Sequence, residues 1–234
     1  AVGSGVATGS ANVVIGRTAG QNLTSADSNI LIGKEAGQAL TTGSNNIFVG
    51  QDAGDEGDTE ASNLGIGKGS LGGAIAGGEF NVAIGNFTLD ALTSSDGNVA
   101  IGYNAGTDIT TGDNSVYVGY QAGLNATTAS SNVFVGMEAA GLGVVTGGAN
   151  VGVGTQALYD LTSGANNTAI GYRAGYNITT GPHNVIVGKD AGGKMTEGDK
   201  NVIIGSQAGA ELVGDGGDFN TLIGYAAGNA LTTG

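Results

Sequence analysis

The sequence has no cysteine, no tryptophan, one proline and one histidine in 234 residues. Without cysteine there can be no disulfide, which fits the cytosol and the exterior equally well. Collagen is excluded, because glycine does not fall at every third residue and proline is nearly absent. Cations are scarce: seven Lys+Arg stand against twenty Asp+Glu, a net charge of −13. A phosphate backbone needs clustered cations, so nucleic acid is not an expected partner. No run of eighteen apolar residues occurs, so no membrane-spanning helix is expected. No signal peptide is visible either. The chain starts at Ala1 and stops at Leu231-Thr232-Thr233-Gly234, a phrase that elsewhere lies mid-repeat, so it reads as part of something longer.

What is abundant is glycine, 48 residues, about three times the usual share. Apolar residues make up 40% and charged residues only 12%. Enough apolar surface is present to bury, which argues against disorder. Glycine with many Val and Ile points to short strands joined by turns.

Self-similarity dominates the chain. The phrase Asn-x-x-Ile/Val-Gly starts at Asn12, Asn29, Asn46, Asn63, Asn81, Asn98, Ser115, Asn132, Asn150, Asn167, Asn184, Asn201 and Asn220. Ser115 is the one substitution. The spacing is 17 residues, lengthening to 18 after Asn63 and Asn132 and to 19 after Asn201. These longer coils recur every 69 residues, so a four-coil unit has been duplicated in tandem. The blocks run 12–80, 81–149 and 150–219, with partial coils at 1–11 and 220–234. No linker interrupts them, and a single repeat domain over 1–234 is expected. A fixed period of this length is the mark of a solenoid, here an all-β parallel β-solenoid (β-roll) of 17-residue coils.

With the anchor Asn numbered 1, each column has a job. Position 2 is apolar in eleven coils and Thr in two, and position 4 is always Ile or Val. Side chains alternate along a strand, so positions 2 and 4 share one face. Position 3 lies on the other, yet holds Val14, Leu31, Phe48, Phe134, Ile186, Ile203 and Leu222. A strand apolar on both faces is buried on both faces. One face packs inside its own coil; the other needs a second body, and another copy of the chain is the simplest. Position 5 is always Gly, which marks a corner. A small residue at position 8 and Leu or Ile at position 12 supply a second apolar wall, and Thr follows at position 13. In the longer coils that Thr becomes Ile75, Val144 or Val213, so these coils are expected to repack. Stacked Asn side chains are expected to form an amide ladder about 4.8 Å per step.

Asn81-Val82-Ala83-Ile84-Gly85, Asn98-Val99-Ala100-Ile101-Gly102 and Asn167-Thr168-Ala169-Ile170-Gly171 resemble the signature of YadA-like trimeric autotransporter heads. The fuller phrase from Gly102-Tyr103-Asn104-Ala105-Gly106 to Ile109-Thr110-Thr111-Gly112 is similar to repeats of bacteriophage tail fibres and bacterial surface fibres. The resemblance covers essentially the whole chain. It implies a left-handed β-roll, a homotrimer, and an extracellular, cell-surface or virion location. The 17-residue coil is longer than those heads use, which favours the fibre variant.

Catalytic machinery is not expected. The only histidine, His183, sits beside Pro182 in an inter-coil turn, and no HExxH, Walker loop or calcium-binding Gly-Gly-x-Gly-x-Asp repeat is found. No cofactor, metal or catalytic residue is assigned; the acidic turn Asp55-Glu56-Gly57-Asp58 reads as solvated charge. Position 6 forms an outward column with Arg17, Lys34, Lys68 and Lys189 and the tyrosines Tyr103, Tyr120, Tyr172 and Tyr225. These tyrosines are the candidate lateral binding column for a glycan or protein on a host surface. The leading expectation is a non-catalytic shaft or head segment of a fibre. The alternatives are a rod that adheres through its lateral surface and a self-assembling extracellular filament.

Overall fold

A computed structural model describes residues 8–74, 77–213 and 217–231. The chain divides into two compact units, Ala1–Asn114 and Ser115–Gly234. The first holds β1 (Val13–Ile15), β2 (Ile30–Ile32), β3 (Ile47–Val49), β4 (Leu64–Ile66), β5 (Val82–Ile84) and β6 (Val99–Ile101). The second holds β7 (Val116–Val118), β8 (Val133–Val135), β9 (Val151–Val153), β10 (Thr168–Ile170), β11 (Val185–Val187), β12 (Val202–Ile204) and β13 (Thr221–Ile223). Within each unit every strand pairs in parallel with the next in chain order. The register is that of the repeat, Val13 on Ile30 and Val185 on Val202, for example. No helix occurs among the described residues. Each unit is therefore a parallel β-solenoid with one three-residue strand per coil.

The strands settle which apolar face turns inward. Position 3 is the inner face: Leu31, Phe48, Ala83, Tyr117, Phe134, Ile186 and Ile203 are all essentially inaccessible. They pack with the position 8 column (Ala19, Ala36, Ala105, Ala174) and the position 12 column (Leu23, Leu40, Leu92, Leu161, Met195). Positions 2 and 4 point outward, and no residue of either column is fully buried. The outer face of the sheet is thus two files of Val and Ile.

The corner after the strand explains the invariant glycine. Position 5 runs at φ from +128° at Gly224 to +147° at Gly50, outside the range that side chains tolerate. A Cβ at Gly16 would also lie 2.0 Å from the carbonyl oxygen of Gly33 in the next coil, and one at Gly136 2.5 Å from that of Gly154. The coils stack so closely here that only glycine fits.

Two further left-handed positions turn the coil. Position 7 takes φ near +55° whatever the residue, as at Thr18, Gln121 and Arg173, and position 17 does the same at Ser28, Asn114 and His183. Position 9 is left-handed too, yet it is not always glycine: Leu71, Leu89 and Leu158 occupy it at φ 53°, 51° and 54°. Those three coils have Gly65, Ala83 and Gly152 at position 3. Where position 9 is Gly, position 3 is often large. A Cβ on Gly54 would meet the Phe48 ring at 2.5 Å, and one on Gly123 would meet Tyr117 at 2.2 Å. In these coils the core volume is supplied from one position or the other, as close packing requires. The leucines fill space that outweighs the roughly 1 kcal/mol of left-handed strain.

The anchor asparagines do more than stack. Asn150 is fully buried. Its backbone N–H and Nδ2 both donate to Asn132 Oδ1, at 2.9 and 3.2 Å, and Nδ2 also donates to the Gly164 carbonyl at 2.9 Å. Its own Oδ1 accepts from the N–H and Nδ2 of Asn167. Each Asn thus ties three coil segments together: the coil before, the coil after, and the far end of its own turn. Ser115 keeps one of these bonds, its hydroxyl accepting from the Asn132 N–H at 3.1 Å. It also stands beside the only tyrosine at position 3. Burial pushes the Tyr117 hydroxyl up to about 12, and its interaction with the Ser115 side chain acts in the opposite direction. The smaller Ser makes room for that hydroxyl.

The longer coils are filled differently from the regular ones. Val144 is 56% exposed, and it is Val145 that is buried, bridging in parallel to Ala126. Val145 is position 14, two places after the position 12 wall of a regular coil, whereas in the coil from Asn201 the wall stays at position 12, where Leu212 is buried. Val213 likewise faces outward, and Ile75 lies outside the described residues.

Two substitutions test this packing. Gly136→Ala should cost at least about 3 kcal/mol in urea unfolding, combining backbone strain with a clash against main chain. Gly193→Ala should stay within about 0.5 kcal/mol, because φ is ordinary there and an added Cβ comes no closer than 3.3 Å to any atom. In the buried ladder, Asn150→Ala should cost about 3 kcal/mol and Asn150→Ser distinctly less, since a hydroxyl keeps one acceptor.

Candidate functional site

The expected lateral column is where the repeat puts it. Tyr103, Tyr120, Tyr172 and Tyr225 are exposed, between 45% and 79%. Tyr103 meets Phe87 edge-on at 6.2 Å between centroids. In the second unit Tyr120, Tyr172 and Tyr225 stand three coils apart, about 14 Å at the sheet spacing. That is too far for them to share one flat ligand. Three of the column's four cations pair with acids, Arg17 with Glu35 at 3.3 Å, Lys34 with Glu35 at 2.9 Å and Lys189 with Asp190 at 3.0 Å, while Lys68 lies over the Phe87 ring.

His183 sits in a left-handed turn (φ 59°), its ring exposed, 3.4 Å from Asp199. That is the surface turn the sequence implies. Among the described residues no group of three or more acidic or histidine side chains is arranged to hold a metal ion. Nor is any helix long and apolar enough to cross a membrane among them.

The acidic turn has an electrostatic character the sequence does not reveal. Position 10 holds Asp55, Gly72 and Asp90 in three successive coils. A Cβ at Gly72 would lie 2.7 Å from Asp90 Oδ1, so the Asp90 carboxylate folds into the notch left by the glycine. Burial, opposed by a backbone hydrogen bond and reinforced by the charges of Asp52, Glu56 and Asp90, pushes the Asp55 carboxyl up to about 6. Asp90 is raised as well, first by burial and then by Glu56. A fully buried acid, Glu60, occupies the small-residue position 15. Its carboxylate accepts from the N–H groups of Thr59 and Gly77, both at 3.0 Å.

A concavity in the second unit uses residues outside the position 6 column. Tyr159 and Tyr176, both at position 10 in successive coils, stack with centroids 5.0 Å apart and planes 14° from parallel. The Arg173 guanidinium carbon lies 4.2 Å from the Tyr176 ring centroid. In the next two coils position 10 shrinks to Gly193 and Ala210, and the stack ends at an open cavity of about 340 Å³. Arg173, Asn177, Asp190, Lys194, Gln207 and Glu211 surround it. The sequence carries a signal for it: two tyrosines 17 residues apart, followed by two small residues in the same column.

No protein-family model, no curated protein and no solved structure matches this chain. The functional reading therefore rests on these surfaces alone.

The Asp55 site yields a pH prediction with a definite sign. Its folded pKa, about 6, lies above the ordinary value of 3.8, so between these limits the folded state holds a proton that the unfolded state releases. This group's contribution to stability is therefore greatest below about pH 4 and declines as pH rises through about 6. Compared with Asp55→Asn, the wild-type chain should lose about 1 kcal/mol in urea unfolding between about pH 4.5 and 7, allowing for solvent screening of a part-exposed group.

Proposed function

We propose that the chain is a non-catalytic structural segment of an extracellular or virion fibre, in which three identical copies associate through the outer faces of their sheets. The observation that carries this reading is the double file of Val and Ile at positions 2 and 4. Val13 (46% exposed), Ile15 (58%), Ile66 (39%), Ile101 (38%), Ile170 (42%) and Val185 (39%) are all in contact with water in the single chain. A solvent-facing sheet normally alternates apolar-in with polar-out. Here the outer positions are at least as apolar as the inner ones, and a regular exposed apolar face marks an association surface.

Another copy of the same chain suits the pattern better than an unrelated partner. The two files repeat coil after coil with the period of the solenoid itself, and only a partner with the same period matches them throughout. Three such faces turned toward a common axis close as a ring, one edge of each face meeting the opposite edge of the next. The other surfaces carry the chain's acidic excess, which favours solubility of an assembled fibre and disfavours lateral aggregation. Within each unit the stacked corner glycines and the asparagine ladder tie neighbouring coils together, which suits a stiff spacer.

Light scattering coupled to size exclusion should give three times 22.6 kDa for the wild-type chain. Ile170→Lys with Val185→Lys should reduce the mass to that of one chain while the β-sheet circular dichroism is retained. A wild-type mass of 22.6 kDa at micromolar concentration would overturn the proposal.

A further inference from the structure

We propose that the cavity beside Tyr176 binds a single carboxylated sugar unit, with Arg173 receiving the carboxylate. The case starts from charge pairing. Of the seven cations, Arg17, Lys34, Lys189, Lys194 and Lys200 each lie in an ion pair with a carboxylate. Lys68 lies over the Phe87 ring. Arg173 has no carboxylate partner among the described residues, in a chain carrying twenty acids. Its Nε is buried and makes no hydrogen bond. A buried, unpaired guanidinium N–H costs free energy unless something outside the chain satisfies it.

Geometry holds that guanidinium ready. Tyr159 braces Tyr176, and the Tyr176 ring carries the Arg173 guanidinium. The contact with the ring holds the guanidinium without using its N–H groups, and its planar fork matches a carboxylate through two parallel bonds. The other charges around the cavity are already matched: Lys194 pairs with Glu211 at 2.6 Å, and Asp190 with Lys189 at 3.0 Å. Among the described residues Arg173 is the one uncompensated charge facing the opening, so the site has room for one anionic group.

The remaining lining selects the rest of the ligand. Asp190 and Glu211 can only accept hydrogen bonds, whereas the amides of Asn177 and Gln207 both donate and accept. Groups that satisfy both kinds are hydroxyls. The two acids would repel a second carboxylate. A volume of about 340 Å³ is at the small end of sites that hold organic ligands, which fits one ring rather than a chain. A ring with one carboxylate and several hydroxyls is a uronic acid or a related sugar acid. The cavity is built from positions 7, 10 and 11, away from the apolar sheet face, so this inference does not depend on the association proposed above.

Calorimetric titration of the full chain with D-glucuronate, N-acetylneuraminate, D-glucose and N-acetylglycine tests it. Saturable binding of either sugar acid is expected, with glucose and N-acetylglycine at least about tenfold weaker because each lacks half of the recognised groups. Arg173→Gln should weaken binding about tenfold or more, and Arg173→Lys by a smaller factor, since a lysine keeps the charge but not the fork. Gly193→Tyr extends the tyrosine stack into the cavity and should abolish binding while the thermal midpoint is maintained. No saturable binding of either sugar acid to the wild-type chain up to about 10 mM would overturn the proposal. So would glucose or N-acetylglycine binding as tightly as the sugar acids, or unchanged binding in Arg173→Gln or Gly193→Tyr.

Discussion

The structure depends on how closely one coil can lie on the next at the corner after the strand. There the backbone of each turn comes within a side chain's width of the following one, and the φ values from +128° to +147° admit no residue but glycine. Once that corner is fixed, the strand before it is held in register with its neighbour, and each residue stacks on its equivalent. The asparagine at the start of the strand then finds the same partners in each coil. It bridges to the coil on either side and to the carbonyl that ends its own turn, as Asn150 does with Asn132, Asn167 and Gly164. Corner and ladder constrain opposite ends of a three-residue strand, which is why so short a strand suffices.

The core that this frame encloses is narrow, and its packing is regulated by exchange. Leu71 accompanies Gly65 and Leu158 accompanies Gly152, whereas Phe48 and Tyr117 accompany Gly54 and Gly123. A coil tolerates either large residue because the two occupy the same space. The same economy explains Ser115, where the only tyrosine at position 3 meets the only serine at position 1. Regularity of the backbone thus coexists with varied contents, and a non-glycine residue is held left-handed at position 9 when its side chain fills the core.

How much of this is legible in the sequence depends on whether a feature is periodic. Gly16 to Gly224 and Asn12 to Asn220 recur at fixed spacing, and from them the coil, its length, the corner and the ladder can be read before any coordinates. Which strand face turns inward cannot be read from hydrophobicity, because Val and Ile at positions 2 and 4 are as apolar as Leu31 or Phe48 at position 3. The discriminating signal is subtler: position 3 ranges from Gly65 to Tyr117 and covaries with position 9, as a packed interior must, while positions 2 and 4 vary little. Column counting puts Val144 in the Thr column at position 13, but the added length shifts the column, and only pairing with Ala126 shows Val145 as the wall residue. Tyr159 and Tyr176 are hard to single out beside the more numerous tyrosines of position 6, although a ligand needs adjacent rings and this pair provides them.

The strand's middle residue is interior, and the proposed trimer would cover its flanking residues with other copies of the chain. Because the chain has no cysteine, single introduced thiols report this directly. With Ala100→Cys and Ile101→Cys prepared separately, the thiol of the first variant should resist a labelling reagent in the native protein. That of the second should form chain-to-chain disulfides on mild oxidation. Rapid native-state labelling of the Ala100→Cys variant, or an Ile101→Cys variant that labels freely and never cross-links, would contradict it.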